Sequence, residues 1–263
     1  MGAREGRKPL PFHASRPQAC RPDSSQFSAV KVLSHFFDGH HGDSLAVADN
    51  ALQIIHADQS LLVLNKPAGL LSVPGRGDDK QDCLSSRVQS YFPEALVVHR
   101  LDMATSGLML MARDIAMQRA LNRLFEHREV YKRYLAVVEG CLPPAQEPDG
   151  WNLIDLPIAL DWPRRPLRII DAATGKPSQT RWRTVSVDRN ANTTRVELEP
   201  ITGRSHQLRV HLLALGHPIL GDALYGPEIV HARSARLLLH ACALRLVHPV
   251  SHAALCFESP PDF

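Results

Sequence analysis

The stretch VVHRLDMATSGLMLMAR, residues 97–113, decides the architecture. Its two ends, VVHR and GLMLMAR, read as buried strands. Between them lies a polar, hydroxyl-bearing segment, residues 99–106, that contains Arg100 and Asp102. Placing a carboxylate beside apolar strands costs free energy unless a cation or several donors compensate, so structure alone seldom selects Asp at such a point. The alternative is a turn in which Asp102, Thr105 and Ser106 bond local backbone N–H groups and Gly107 admits a tight bend. Taken alone, the segment leaves both readings open.

A second segment weighs on the choice. ITGRSHQLRVHLLALGHPILGDALYG, residues 201–226, contains the helix SHQLRVHLLAL, which Gly216 and Pro218 stop, with Arg204 and Arg209 at or near its start. A helix start carries positive potential, and Arg204 adds a fixed charge able to pair with a carboxylate and keep it ionised. An ionised carboxylate is what a nucleophile requires.

Working outward, LQIIHADQSLLVLNKP gives two short strands around Ala57, Asp58 and Gln59. Asp82 caps a helix CLSSRVQSYF, which Pro93 closes. Asp114 caps a second helix running to about His127, whose stripe of Met117, Leu121, Leu124 and Phe125 faces the core. Strands are expected in EVYKRYLAVVEG, TRWRTVSV, TRVELEP, RLLLHACALRLV and ALCFES. Strands outnumber helices without alternating with them, which predicts an α+β fold on a large mixed sheet. Residues 1–45, rich in Pro, Ser, Arg and Gly, read as a disordered extension with a short helix near 30–37, and 46–263 as one domain.

Composition and missing motifs narrow the chemistry. The 263 residues are 44% hydrophobic and 22% charged, with no apolar run near the ~20 residues a spanning helix needs, so a soluble protein is expected. Five scattered cysteines without a C-x-x-C pair suggest neither zinc nor a disulfide framework and fit a reducing cytoplasm. A net charge of +3 is compatible with a nucleic-acid partner. Basic residues gather in RDIAMQRALNRLFEHREVYKR, 113–133, and DWPRRPLR, 161–168, which are solvated faces or phosphate contacts. There is no G-x-S-x-G elbow, phosphate-binding loop, dinucleotide fingerprint or H-E-x-x-H pair. His206, His211, His248 and His252 read as surface or satisfied core residues.

HRLDMATSG, NKPAGLLSVPG (65–75), KRYLAVVEG (132–140) and ITGRSHQLRVHLLALGHPILGD together resemble the signature stretches of the RluA family of pseudouridine synthases. The resemblance spans about residues 52–263 and is nearest to the dual-specificity members, which act on large-subunit ribosomal RNA and transfer RNA. It implies the pseudouridine synthase fold: a large, mostly antiparallel mixed sheet with flanking helices and a central cleft. It also implies isomerisation of uridine in RNA stem-loops without cofactor or metal, by a monomer with no obligate protein partner.

Carried over by position, the resemblance makes Asp102 the nucleophile, Tyr134 the tyrosine that stacks on the target base and assists proton transfer, and Arg204 the basic partner of the aspartate. Leu238 or Leu239 supplies the apolar wall under the base. Arg100 contacts RNA, with His99 and Thr105 of the same segment at the substrate. Arg113, Arg119, Arg123, Lys132, Arg164 and Arg165 are candidates for phosphate contacts. Three rivals stand beside this reading, the nearest being a related synthase of the same family that acts on other ribosomal uridines. Asp102 with Asp222 could form a two-carboxylate glycoside hydrolase, although Gly221 and Ala223 suggest a turn there. The chain could also be a non-catalytic RNA-binding module, in which Asp102 is dispensable.

Overall fold

The computed structural model describes residues 52–145 and 147–263, so the extension expected over 1–45 and the helix expected near 30–37 lie outside the described residues. Strands β1 (Ile54–Ala57) and β2 (Leu61–Lys66) form a hairpin. Asp58 Oδ1 accepts the Ser60 and Leu61 N–H groups at 2.7 and 2.8 Å, a side chain closing the turn on its own backbone. Helix α1 (Leu84–Gln89) is capped by Cys83, not by Asp82 as expected. The Cys83 sulfur accepts the Ser86 N–H and Ser86 Oγ accepts the Cys83 N–H. Asp82 is drawn instead to the Arg87 guanidinium, a charged donor and so the stronger partner.

Strand β3 (Leu96–Val97) is shorter than expected, because the Leu110 N–H is taken by His99 Nε2 at 2.9 Å rather than by strand backbone. Then follow β4 (Ser106–Ala112), helix α2 (Ile115–Glu126) and β5 (Tyr131–Glu139). Asp114 caps α2 as expected, accepting the Met117 N–H at 2.7 Å. A short β6 (Asn152–Asp155) and the pair β7 (Ile158–Leu160) and β8 (Arg168–Ile170), none of them foreseen, precede β9 (Gln179–Asp188) and β10 (Thr193–Pro200). Helices α3 (Gln207–Ala214) and α4 (Glu228–His231) and strands β11 (Leu239–Val247) and β12 (Ala254–Glu258) complete the chain.

The main sheet runs β1-β2-β4-β11-β5-β10-β9-β6, with β3 on β4 and β12 on β11, while β7 and β8 form a separate ribbon. Among the pairings between the described strands only β4 with β11 is parallel. The fold is α+β on a large, mostly antiparallel sheet.

Every residue of β4 is buried, which explains its unbroken apolar run. Alternate side chains go to opposite faces. Leu108, Leu110 and Ala112 pack with Leu61, Val63, Met117 and Leu121 under α2, and Met109 and Met111 with Leu62, Leu64, Leu84 and Val88 under α1. A third cluster joins Val196 and Leu198 of β10 and Ala136 and Val138 of β5 to Leu208 and Leu212 of α3. Gly107 serves a different purpose from the bend expected of it. It lies within β4 at φ +111°, and a Cβ there collides with the backbone of Ala241, so glycine lets β4 and β11 close on each other just past the polar segment.

Candidate active site

The segment 99–105 runs along one wall of a cleft of about 600 Å³, whose other walls are β5, the end of α2, the 200–206 connection with the start of α3, and β11. Asp102 lies at the centre with its side chain 23% exposed. Its carboxylate accepts no hydrogen bond among the described residues. The backbone carbonyl of Asp102, not its side chain, closes the local turn by accepting the Thr105 N–H at 3.1 Å. Asp102 is therefore not a loop fastener.

Two donors face this carboxylate without touching it. Arg209 Nη1 is 3.8 Å from Oδ2 and His206 Nε2 is 3.9 Å from Oδ1. The guanidinium beside Asp102 thus belongs to Arg209, not Arg204. Arg204 lines the same cleft but is exposed, and its Nε and Nη2 donate to the Pro177 carbonyl at 3.4 and 3.3 Å. Helical spacing accounts for the difference. Arg209 lies inside the first turns of α3 on its buried side, while Arg204 sits before the helix in a loop facing solvent.

Arg209 is itself anchored: its Nε and Nη2 donate to Asp222 at 2.8 and 2.5 Å, and its guanidinium lies over the Tyr225 ring at 5.0 Å. Asp222 is 1% exposed and also accepts the Leu224 and Tyr225 N–H groups. It is a turn residue and an anchor, so a hydrolase using Asp102 and Asp222 as a free pair has no support.

The connection into α3 is fixed by Gln207. This buried side chain accepts from the Arg204 N–H and Thr202 Oγ1 and donates to the Gln179 carbonyl and Thr180 Oγ1. His206 is consequently held at φ 57°, a left-handed conformation uncommon outside glycine, and its ring is turned into the cleft. Its Nδ1 is 2.6 Å from the Tyr225 hydroxyl. Burial, opposed by the Asp102 charge, keeps this imidazole below the ordinary histidine range. His206 is not the surface or core residue expected, whereas His211 is a satisfied core histidine, bonded to Thr180 Oγ1 and the Leu156 carbonyl.

Tyr134 reaches the cleft from β5, its phenol pushed up by burial and then by the Asp102 charge. Leu239 lines the cleft from β11; Leu238 does not, packing instead on the β5–β10–α3 cluster. His99, Arg100, Thr105 and Lys132 also line it. The His99 ring is pushed down to about 3 by burial and then by Lys132, and serves as a neutral acceptor for Leu110. Arg100 is exposed and makes no ion pair or hydrogen bond among the described residues.

The remaining expected phosphate contacts sit elsewhere. Arg113 is engaged by Glu94 and the Asp58 carbonyl, and Arg164 by Asp161, because each has an acid within reach. Arg165 stacks at 4.6 Å on Trp162, which is 65% exposed. Arg119 and Arg123 are on the exposed side of α2, outside the cleft lining.

One neighbour of the site went unread. Lys66 is fully buried and donates from Nζ to the carbonyls of Pro67, Leu70 and Met103 at 2.8, 2.7 and 3.0 Å, tying the loop after β2 to the loop that carries Asp102. Burial lowers its amine to about 8 against the opposing pull of Asp102. Its parity with Leu62 and Leu64 in LLVLNK was the available signal, since alternation points all three the same way.

Residues 60–214 match the family model described as RNA pseudouridylate synthase. The chain is 49% identical over 212 residues to the dual-specificity RNA pseudouridine synthase RluA of Escherichia coli (strain K12), covering 81% of this chain and 94% of that one. It is 48% identical over 210 residues to the protein of the same description from Yersinia pestis, covering 80% and 99%. Among solved structures it resembles human RNA Pseudouridylate Synthase Domain Containing 1, with a TM-score of 0.66 and 31% identity over 81% of this chain and 84% of that one.

Proposed function

The chain belongs to the RNA pseudouridylate synthase family and is an RNA-modifying isomerase, and from that premise we propose that Asp102 is its nucleophile and that it modifies uridines in stem-loops of both large-subunit ribosomal RNA and transfer RNA. The observation that carries the first part is a carboxylate facing two cationic or N–H donors across a cleft while hydrogen-bonded to neither. The second part rests on the dual-specificity description of relatives nearly half identical over almost their whole length.

Pseudouridine forms when the bond from C1′ to N1 breaks, the uracil turns, and C1′ joins C5, with C5 losing a proton and N1 regaining one. Nothing is released, so the base must be held throughout. A target uridine extruded from its loop costs a few kcal/mol, which stacking on Tyr134 and contact with Leu239 offset. Arg100, exposed at the cleft rim, fills the gap left by the departing base. Asp102 then attacks the sugar or base, or removes a sugar proton. Arg209 brings positive charge to 3.8 Å from the carboxylate without a hydrogen bond that would occupy its lone pairs. Tyr134, its phenol raised, stays protonated and acts as a platform and donor.

Lys132 at the rim and Arg204 at the mouth are the phosphate contacts the geometry favours. Arg165 on Trp162 offers a secondary stacking surface. No helix among the described residues is long and apolar enough to cross a membrane. The cysteines among the described residues, Cys83, Cys141, Cys242 and Cys256, are unpaired, which supports a cytoplasmic setting. Mapping pseudouridine in total RNA with and without the gene tests the proposal: losses in both an anticodon stem-loop and large-subunit ribosomal RNA are expected. Loss in only one class removes the dual specificity.

A further inference from the structure

We propose that His206 is a positioning residue for Asp102, locked by Tyr225 in the neutral form that carries its proton on Nε2 and points that N–H at Oδ1 of the carboxylate. This rests on the reading of Asp102 as the reacting group.

The assignment follows from counting donors. The Arg168 backbone N–H donates to the Tyr225 hydroxyl at 2.9 Å, so that oxygen is already an acceptor. A phenol has one proton to give, and the neighbour at 2.6 Å is His206 Nδ1. Tyr225 keeps that proton, since burial pushes its phenol up to about 12. With Nδ1 accepting, a neutral ring must carry hydrogen on Nε2. The reverse arrangement, Nδ1 donating to Tyr225, leaves the phenol proton with no acceptor among the described residues.

The ring is aimed by a backbone held at φ 57° through the four hydrogen bonds of Gln207, a strained conformation maintained where the surrounding structure dictates it. The charged and titratable groups around the imidazole are Asp102, Arg209, Arg168, Asp222 and Tyr225. Arg209 and His206 therefore approach different oxygens of one carboxylate, at 3.8 and 3.9 Å. Catalytic hydrogen bonds are often this long before substrate arrives and tighten when it displaces water. Once drawn in, two donors fix both the position and the rotation of the carboxylate, which a single cation does not. The same count excludes His206 as the base that takes the C5 proton, because the nitrogen facing the cleft is a donor.

Nitrogen-15 NMR of the imidazole in the intact free enzyme tests the lock without using activity. The expected signature is hydrogen on Nε2 with an unprotonated, hydrogen-bonded Nδ1, and Tyr225→Phe should mix the two tautomers. Kinetics on a uridine-containing RNA stem-loop test the purpose. His206→Leu should lower kcat about 100-fold with KM nearly unchanged, the scale of a misplaced reacting group. His206→Gln, which restores an N–H donor, should recover about a tenfold part of that loss.

Hydrogen on Nδ1 in the wild-type enzyme, or an unchanged tautomer in Tyr225→Phe, overturns the lock. Wild-type kcat in His206→Leu, or equal losses in the Leu and Gln variants, overturns the positioning role. A fully active Asp102→Asn enzyme with the Nε2 tautomer intact sinks the nucleophile reading instead, so the two failures are separable.

Discussion

The turn at 219–226 and the segment at 99–105 each present one carboxylate to the same arginine. Asp222 is 1% exposed and takes two short bonds from Arg209, while Asp102 is 23% exposed and stands 3.8 Å off. One carboxylate is saturated with donors and the other is left with its lone pairs unengaged. A buried cation is tolerable only when a partner is fully bonded to it, and Asp222 supplies that partner. The remaining positive potential then acts on Asp102 without occupying it, so anchoring falls to one acid and, in the proposed mechanism, reactivity to the other.

The division is broken most severely at Asp102. Asp102→Asn should reduce pseudouridine formation by at least about 10⁴-fold while RNA binding and thermal stability stay near wild type. Activity within tenfold of wild type removes the distinction.

Next comes Asp222→Ala, which leaves the Arg209 charge uncompensated. A stability loss of about 3–5 kcal/mol is expected, read as a fall in Tm of roughly 10 °C. Activity should fall as well, because Asp102 is then the nearest acid to Arg209 and becomes bonded to it. An unchanged melting curve would show that Asp222 is no anchor.

A smaller effect distinguishes the far end of the 99–105 segment. His99 is held neutral in the fold, at about 3, whereas the unfolded chain protonates it near 6.5. The unfolded state binds the extra proton, so stability falls as pH drops from about 6.5 toward 3. The deficit reaches about 2 kcal/mol by pH 5. Denaturant titrations across that window should show a shallower slope in His99→Gln than in wild type, because His206, His211 and His240 still contribute; parallel slopes refute it.

The smallest effect expected is at Arg204. Because it bonds the Pro177 carbonyl rather than Asp102, Arg204→Ala should raise KM about threefold, reduce the salt dependence of RNA binding by about one phosphate contact, and leave the pH profile in place. A shifted acid limb would return Arg204 to the aspartate.

Much of the strand content was readable because alternation and apolar runs are local signals: β4, β5, β9, β10 and β11 fall where the sequence puts them, as does the Asp114 cap of α2. Short β6, β7 and β8 carried too few residues to show a period. Cys83 displaced Asp82 as a cap because Arg87, one turn on, competed for the carboxylate. At the site, Asp102 stood out as a carboxylate between apolar strands, and the flanking signatures carried the family.

Which arginine meets that carboxylate was not readable. Arg204 and Arg209 lie five residues apart in one segment, both suitable in charge. Choosing between them needs the direction of the helix, the burial of one side, and a third residue, Asp222, to hold the guanidinium. His206 and Lys66 were hidden for the same reason: the meaning of each depends on groups far along the chain, Tyr225 and Arg168 for one, Met103 for the other. The sequence alone determined the type of sheet and the family, and singled out the acid proposed to react, because those follow from local pattern and contiguous motif. Tertiary structure decided which cation faces that acid and which acid is left free, because electrostatic interactions depend on distances through space that chain separation does not encode.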